Sequence, residues 1–296
     1  MTWYPPDGLP PGQFITPDPQ FSDGVPATGH ALWMTDEPVP QAGALWARLL
    51  RRHEDTGLWP LLLLTMRPYG PALERMKARG TFGERRIEQL ARRPWQSGEF
   101  EPVLAESVDA LDPAEILARW WGEITGGDAV QPRIVPPRQP FDRWPGLAPA
   151  GAGLPAAGNA AADMFAADLV AAPGGVRFLT GRDSGIHLGL VQAADGAAAL
   201  AACGFMSRRG QTAEDAAVIR SWQDRFGARL CAVGFDCLAL SVANPPGGPE
   251  HCLRVAAEHL AYETAEALVD GIDTPLSFEE YAAKLSRSNT WWFWWD

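Results

Sequence analysis

The side chains best suited to acid–base chemistry lie close together near the end of this sequence. They are His251, Arg254, Glu258 and Tyr262. Their spacing of three or four residues places them on one stripe of a predicted helix. His259 directly follows Glu258 and therefore lies about 100° away around the helix. A carboxylate and an imidazole this close could perform general acid–base catalysis.

A structural interpretation competes with catalysis, because polar residues opposite an apolar helix face usually form its solvated side. The sequence offers no obvious nucleophile and contains no phosphate-binding loop, nucleophile elbow, zinc-protease motif or dinucleotide fingerprint. His251 and His259 are not three or four residues apart, the spacing that joins two metal ligands on one helix face. We therefore predict no catalytic residue, no metal and no cofactor, and keep the five side chains as candidate binding residues.

Two further candidates lie outside this helix. Asp183 falls in "RDSG". It either forms a turn, which is the structural interpretation, or serves as a binding residue in a loop, which is the functional one. The chain ends in "TWWFWWD", and a strand there would send Trp292 and Trp294 to one face and Trp291, Phe293 and Trp295 to the other. We expect this tail to complete the core as an edge strand or extended cover, with indole N–H groups bound to backbone carbonyls. The alternative is that some rings form a partner site.

Composition narrows the possible partners and compartments. The net charge of −11 argues against a nucleic-acid partner, because phosphate binding needs clustered Lys and Arg. No apolar stretch is long enough to span a membrane, and the N-terminus lacks the features of a signal peptide. The four cysteines form no C-x-x-C pair, which favours free buried thiols. These observations predict a soluble cytoplasmic protein with a possible protein partner.

The elements around the candidate residues predict an α+β fold, or mixed α/β, with a small, largely antiparallel sheet covered by helices. "LWPLLLLT" reads as a strand buried on both faces, and "TAEDAAVIRSWQDRFGA" as a helix capped by Thr212 and stopped by Gly227. "ARLCAVG" and "DCLALSVA" read as a hairpin. Pro249 opens a helix to about Val269, and Ser277 with Glu280 has capping-box spacing.

The predicted organisation has three parts. Residues 1–135 form an N-terminal α/β half, residues 136–160 a linker rich in Pro, Ala and Gly, and residues 161–296 a C-terminal α+β domain. The composition of the linker predicts few backbone hydrogen bonds and little apolar burial.

Several motifs in order resemble a known family. They are "VIRSWQDRFGARL", "FDCLALSVANPP", "RVAAEHLAYE" and "WWFWWD", and together they resemble the bacterial family catalogued as domain of unknown function 4253. The resemblance assigns the named domain to about the last 110 residues, and "TGLWPLLL", "RPWQSGE", "LARWW" and "WPGLAP" resemble segments that accompany it. It implies a soluble, cytoplasmic, single-chain protein and no particular activity. The segment "TAEALVDG" departs from a Cys-Pro-Asp-like stretch that the family usually carries there.

Two functions follow as expectations. The first is a non-enzymatic protein-interaction module, because the chain is acidic and rich in tryptophan and lacks a catalytic motif. The second is a small-molecule or hydrolytic enzyme that uses the Glu, His and Arg cluster on the 249–269 helix. Whether the protein is an enzyme stays open at this point.

Overall fold

The long apolar run of the sequence forms the strand Leu58–Leu64, and every residue of this strand is buried. It is the fourth of seven strands in the sheet formed by the described residues. The computed structural model describes residues 3–15, 32–64, 102–125, 140–151, 160–171, 186–204, 211–234, 237–263, 269–270 and 274–294. The strands are β1 (Gly12–Ile15), β2 (Leu32–Thr35), β3 (Leu58–Leu64), β4 (Ile186–Gln192), β5 (Ala228–Val233), β6 (Cys237–Val242), β7 (Val269–Asp270), β8 (Thr274–Pro275) and β9 (Thr290–Trp294).

Helices cover this sheet on both faces. Their bounds are α1 (Ala42–Leu50), α2 (His53–Thr56), α3 (Ala105–Asp109), α4 (Pro113–Thr125), α5 (Ala160–Ala171), α6 (Gly196–Cys203), α7 (Thr212–Phe226), α8 (Pro249–Glu263) and α9 (Phe278–Leu285). Helices α1 and α5 pack against each other on one face, while α7 and α8 lie over the other. None of the helices in the described ranges is both long and apolar enough to cross a membrane.

The strand order is β1-β2-β4-β3-β5-β6-β9, and β7 and β8 form a separate pair. Every neighbouring pair is antiparallel except β3 and β5, which are parallel. The prediction of an α+β fold with a largely antiparallel sheet is therefore confirmed. Strands from both sides of residues 136–160 enter this one sheet. The proposed domain boundaries stay a prediction.

Local sequence signals define several elements correctly. Helix α7 ends at Gly227, which has the predicted left-handed conformation. The Ser277 hydroxyl accepts a hydrogen bond from the Glu280 backbone and completes a capping box with the Glu280 carboxylate. Two boundaries differ from prediction: Thr212 is the first residue of α7, which makes Gln211 its N-cap, and Val269 lies in β7 rather than at the end of α8.

Residues 140–151, which we call the strap, pack more closely than their composition predicts. Ala148 is buried and both of its backbone polar groups are hydrogen-bonded. The ring of Trp144 lies 5.8 Å from the ring of Trp121 on α4. The expectation of few hydrogen bonds and little burial is wrong at Ala148, because side chains distant in sequence bind its backbone, whereas five of the twelve strap residues are exposed.

Candidate functional site

The centre of the predicted cluster is Glu258, whose carboxylate has no exposed area. Its Oε1 accepts hydrogen bonds from the Ala148 N–H at 2.6 Å and from Arg225 Nη1 at 2.7 Å. Its Oε2 accepts from Trp222 Nε1 and Arg225 Nη2, both at 2.7 Å. Four donors therefore occupy the two oxygens, and this satisfaction offsets the cost of burying the charge.

Arg225 joins three parts of the fold around this carboxylate. Besides its two bonds to Glu258, Nη1 donates to the Ala148 carbonyl at 2.9 Å, and Nε donates to the Ser221 carbonyl and hydroxyl. Its own carbonyl accepts from the Gly151 N–H at 2.9 Å. The Arg225–Glu258 pair thus holds the strap against α7 and α8 through hydrogen bonds to the backbone N–H and C=O of Ala148.

His259 lies in a box of aromatic rings rather than in an accessible site. Its ring centroid is 4.5 Å from Trp291, 4.9 Å from Phe293 and 5.1 Å from Trp222. Nδ1 is 2.8 Å from the Tyr281 hydroxyl, and the buried Nε2 has no hydrogen-bond partner in the described structure. Burial, and to a smaller extent the positive charge of Arg225, lowers the pKa of His259 from 6.5 to about 3. The imidazole is therefore neutral at physiological pH.

The remaining polar groups at this end of α8 also belong to the core. Tyr262 is buried and packs edge-on against Trp222 and Phe293. Glu263 is buried as well, and its Oε1 accepts the Trp294 N–H at 2.5 Å. Burial, followed by the negative charge of Glu263, raises the pKa of the Tyr281 hydroxyl well above its ordinary value of 10.0. The idea that the polar stripe of α8 is its solvated side is thus wrong for this half.

The other half of α8 reaches the surface. His251 Nδ1 accepts from the Gly247 N–H at 3.3 Å, so Nε2 carries the proton and donates to the Pro149 carbonyl at 2.9 Å. Arg254 pairs with the exposed Glu250 at 3.2 Å, one helical turn away. These three side chains border an open depression of about 620 Å³, which Leu147, Pro149, Gly247, Gly248 and Pro249 also line.

Four of the five terminal aromatics, Trp291 to Trp294, form an edge strand among the described residues, as predicted, and Trp295 lies outside those residues. Trp291 and Phe293 are buried against α7 and α8, and the ring of Phe293 stacks on that of Trp222 with centroids 5.2 Å apart. Trp292 and Trp294 are only partly buried. The buried Nε1 atoms of Trp291 and Trp292 have no hydrogen-bond partner in the described residues, so the expected bonds to backbone carbonyls are wrong for these two indoles.

A second buried ion pair lies on the opposite face of the sheet. Asp163 on α5 accepts hydrogen bonds from Arg229 on β5 and, at 2.6 Å, from the Ser241 hydroxyl on β6. Burial raises the pKa of Asp163, whereas Arg229 and Ser241 oppose that change. The burial of Cys231, with a smaller effect from Asp163, raises the pKa of its thiol well above 9.0. This thiol is therefore protonated and inert at neutral pH.

The structure thus separates the candidate residues into three groups. Glu258, His259 and Tyr262 meet in the core, His251 and Arg254 meet at the surface, and Trp292 with Trp294 lies on the outer strand. Asp183 lies outside the described residues. In the described ranges, no three His, Cys, Asp or Glu side chains are grouped so that they could hold a metal ion.

Sequence reasoning missed Arg225, Asp163 and Arg229, the charged residues that hold these clusters. One signal for Arg225 is its position between Trp222 and Phe226 on the apolar stripe of α7, where a charged residue needs a buried partner. A similar signal for Arg229 is its place in a strand whose other residues are all buried.

Comparison with known proteins supports the relationship that the motifs indicate. Residues 187–296 match the family model described as Domain of unknown function (DUF4253). No curated protein and no solved structure matches the chain. The DUF4253 match includes α7, α8 and β9 and excludes the strap and β3. Strand β3 lies between β4 and β5 in the sheet. The strands of the matched segment therefore form a continuous sheet only when β3, which lies outside the match, is included.

Proposed function

We propose that this protein is a non-enzymatic module that binds a protein partner through an aromatic surface made of Phe165, Trp292 and Trp294. We call these three residues the aromatic flank. The supporting observation is that Phe165 on α5 is 56% exposed, while Trp292 and Trp294 are only partly buried on β9, the strand that α5 contacts. Large aromatic side chains dominate the binding energy of protein interfaces, and large contiguous apolar patches are uncommon on soluble monomers unless they bind a partner.

The sheet register supports a single surface. Thr290 lies opposite Ser241 and Trp292 opposite Ala239, so the side chains of these four residues share a face. The Ser241 hydroxyl bonds to α5, which identifies this face as the one that α5 covers. Trp292 and Trp294 therefore lie on the face of the sheet that α5 covers, on the edge strand next to β6.

The position of Phe165 on α5 agrees with this arrangement. Ala167 faces α1, because a Cβ on Gly43 of α1 would lie 3.2 Å from the Ala167 Cβ. Phe165 is two residues away, or about 200° around the helix, and so points away from α1. Asp163, two residues before Phe165, bonds to β5 and β6, so Phe165 projects from the solvent side of α5, a helix that also contacts β9.

The surroundings of α8 disfavour the catalytic alternative in the core. A general base needs a lone pair for the substrate proton, and four donors already occupy the carboxylate of Glu258. His259 is sealed between rings and has no exposed area. Glu258, His259 and Tyr262 are thus better explained as part of a structural core.

The charge of the chain suggests the chemistry of the partner. With a net charge of −11, the protein attracts surfaces that carry Lys and Arg and repels acidic ones. Asp168, one turn from Phe165 on α5, is exposed. We propose a protein partner with an apolar anchor surrounded by basic side chains.

The test compares variants of the flank with a matched surface variant. Phe165→Ser and Leu104→Ser each remove a side chain that is 56% exposed, so their effects on stability should be similar and small. Affinity capture from native lysate followed by mass spectrometry should recover one near-stoichiometric protein with the wild type and Leu104→Ser, and should lose it with Phe165→Ser. Purified partner should then bind the wild type in a salt-dependent manner. Recovery of the same proteins by all three baits would contradict the proposal.

A small-molecule or hydrolytic enzyme is the second candidate, and the open depression beside His251 and Arg254 favours it. Ligand-detected NMR with a fragment library tests it directly. Fragments that bind the wild type but not a His251→Ala/Arg254→Ala variant would support this candidate, whereas equal binding to both would exclude the depression as a site.

We also propose a cytoplasmic location. The four cysteines are free and buried, which fits a compartment where thiols stay reduced.

A further inference from the structure

The outer edge of β9 carries an arrangement that the proposed function does not use. In the described part of the chain, β9 is the last strand of the sheet and pairs only with β6. The Val242 N–H donates to the Asn289 carbonyl. Because every second residue of an antiparallel strand directs its backbone groups at its neighbour, the N–H and C=O groups of Trp291 and Phe293 bond to β6. The backbone groups of Thr290, Trp292 and Trp294 point away from the sheet.

Side chains bind the outward-pointing groups at both ends of this strand. The Ser288 hydroxyl accepts the Thr290 N–H at 3.3 Å and donates to the Thr290 carbonyl. At the other end, the buried Glu263 carboxylate accepts the Trp294 N–H at 2.5 Å. Of the three outward peptide units, only that of Trp292 lies between these two bonds.

The position of Glu263 is costly for the helix that carries it. Glu263 is the last residue of α8, and no basic residue lies in the last turn. A carboxylate there is repelled by the negative end of the helix dipole. The short bond to a strand N–H compensates for this repulsion, and the helix itself gains nothing from an acidic residue at this position.

We infer that Glu263 and Ser288 block the edge of β9 and prevent it from pairing with β9 of a second copy. An exposed edge strand offers a row of unpaired N–H and C=O groups to another chain. Two antiparallel copies of β9 centred on Trp292 would place Thr290 of one copy opposite Trp294 of the other. The two side chains occupy both of these positions and leave a single residue for pairing, which is too few for a stable ladder.

The test removes the two blocking groups and measures self-association. The double variant Glu263→Ala/Ser288→Ala should change from monomer toward twice the monomer mass of 32.1 kDa in sedimentation equilibrium as protein concentration rises. Glu263→Gln keeps an acceptor for the Trp294 N–H and should not change. Glu279→Ala, which removes an exposed carboxylate from α9, is the matched control.

A third substitution identifies the edge at which the copies meet. Trp292→Pro removes the central outward N–H and is compatible with an edge strand whose N–H faces away from the sheet. Added to the double variant, it should restore the wild-type mass. A folded double variant with the wild-type mass at all concentrations would overturn the inference, and so would a dimer that Trp292→Pro leaves intact.

The wild-type protein allows a test that does not depend on folding of the variants. Hydrogen exchange followed by NMR should show the Trp294 amide at least roughly tenfold slower than the Trp292 amide, because within the described ranges only the Trp294 amide has a hydrogen-bond acceptor. Exchange of Trp294 as fast as that of Trp292 would show that Glu263 does not block the edge.

Discussion

The two halves of helix α8 carry similar side chains in opposite surroundings. In the first half, Glu250 and Arg254 form an ion pair whose side chains are 81% and 37% exposed. In the second half, Glu258 pairs with Arg225, and the carboxylate has no exposed area. Each half also has one histidine, His251 at the surface and His259 in the core.

The difference shows that segments distant in sequence decide which polar groups of a helix are solvated. The strap and β9 bury the second half of α8, and both come from outside the helix's local sequence. The strap meets the first half at His251, whose partner, the Pro149 carbonyl, lies at the edge of the open depression. The covered charge is tolerated because each of its hydrogen-bonding positions has a partner. The two halves should therefore respond very differently to equivalent substitutions.

The largest effect should come from Trp222, which connects α7 to the covered half of α8. Trp222→Ala should destabilise the protein by about 5 kcal/mol, because it leaves a cavity and removes a donor from the buried Glu258 carboxylate. Trp222→Phe keeps most of the ring and removes the N–H, so we expect a loss of about 1 to 3 kcal/mol. Urea unfolding measures both. A nearly unchanged midpoint for Trp222→Ala would show that this half of α8 is not part of the core.

This core illustrates how much the sequence can predict. The stripe of α7, with Val218, Ile219, Trp222 and Phe226, and its Gly227 stop follow from spacing and backbone preference alone. The burial of β3 on both faces follows from its unbroken apolar run. These predictions succeed because the signal and the structure lie in the same short segment.

The candidate site could not be predicted in the same way. Spacing placed Glu258 and Tyr262 on one stripe correctly, but solvation of that stripe depends on partners elsewhere. The Ala148 backbone lies 110 residues from Glu258 and 77 from Arg225 in sequence. The composition of the strap does not predict these bonds, because they are made to backbone groups and every residue except proline carries the same N–H and C=O.

The buried ion pair should show the next largest contrast. Arg225→Met leaves the Glu258 charge buried without its bidentate partner, so we expect a loss of about 3 to 5 kcal/mol. Arg254→Met breaks only an exposed pair and should cost less than about 1 kcal/mol. Thermal and urea unfolding of both variants provide the comparison.

A double substitution separates the charge from the packing. Arg225→Met/Glu258→Leu removes both charges and should be more stable than Arg225→Met alone, although it frees the Trp222 N–H and the strap backbone. If the single and double variants are equally unstable, the guanidinium acts mainly through the strap and not through neutralisation of Glu258.

The two histidines provide the smallest contrast, which appears only in acid. Because the pKa of His259 is about 3 in the fold and 6.5 when unfolded, the unfolded chain binds the proton first and stability falls as pH drops below 6.5. Between pH 7 and pH 5 this group alone should cost about 2 kcal/mol, at 1.36 kcal/mol per pKa unit. His259→Gln keeps a polar group near the Tyr281 hydroxyl and does not titrate, so its stability should fall less over this range than that of the wild type.

His251→Gln, which removes the surface imidazole of the same helix, is the matched control. Its free energy of unfolding should change with pH at a slope closer to that of the wild type. Urea unfolding at each half unit of pH measures the three slopes. Equal slopes for the wild type and His259→Gln would mean that the aromatic box does not hold a neutral imidazole, and that the covered half of α8 opens before it unfolds.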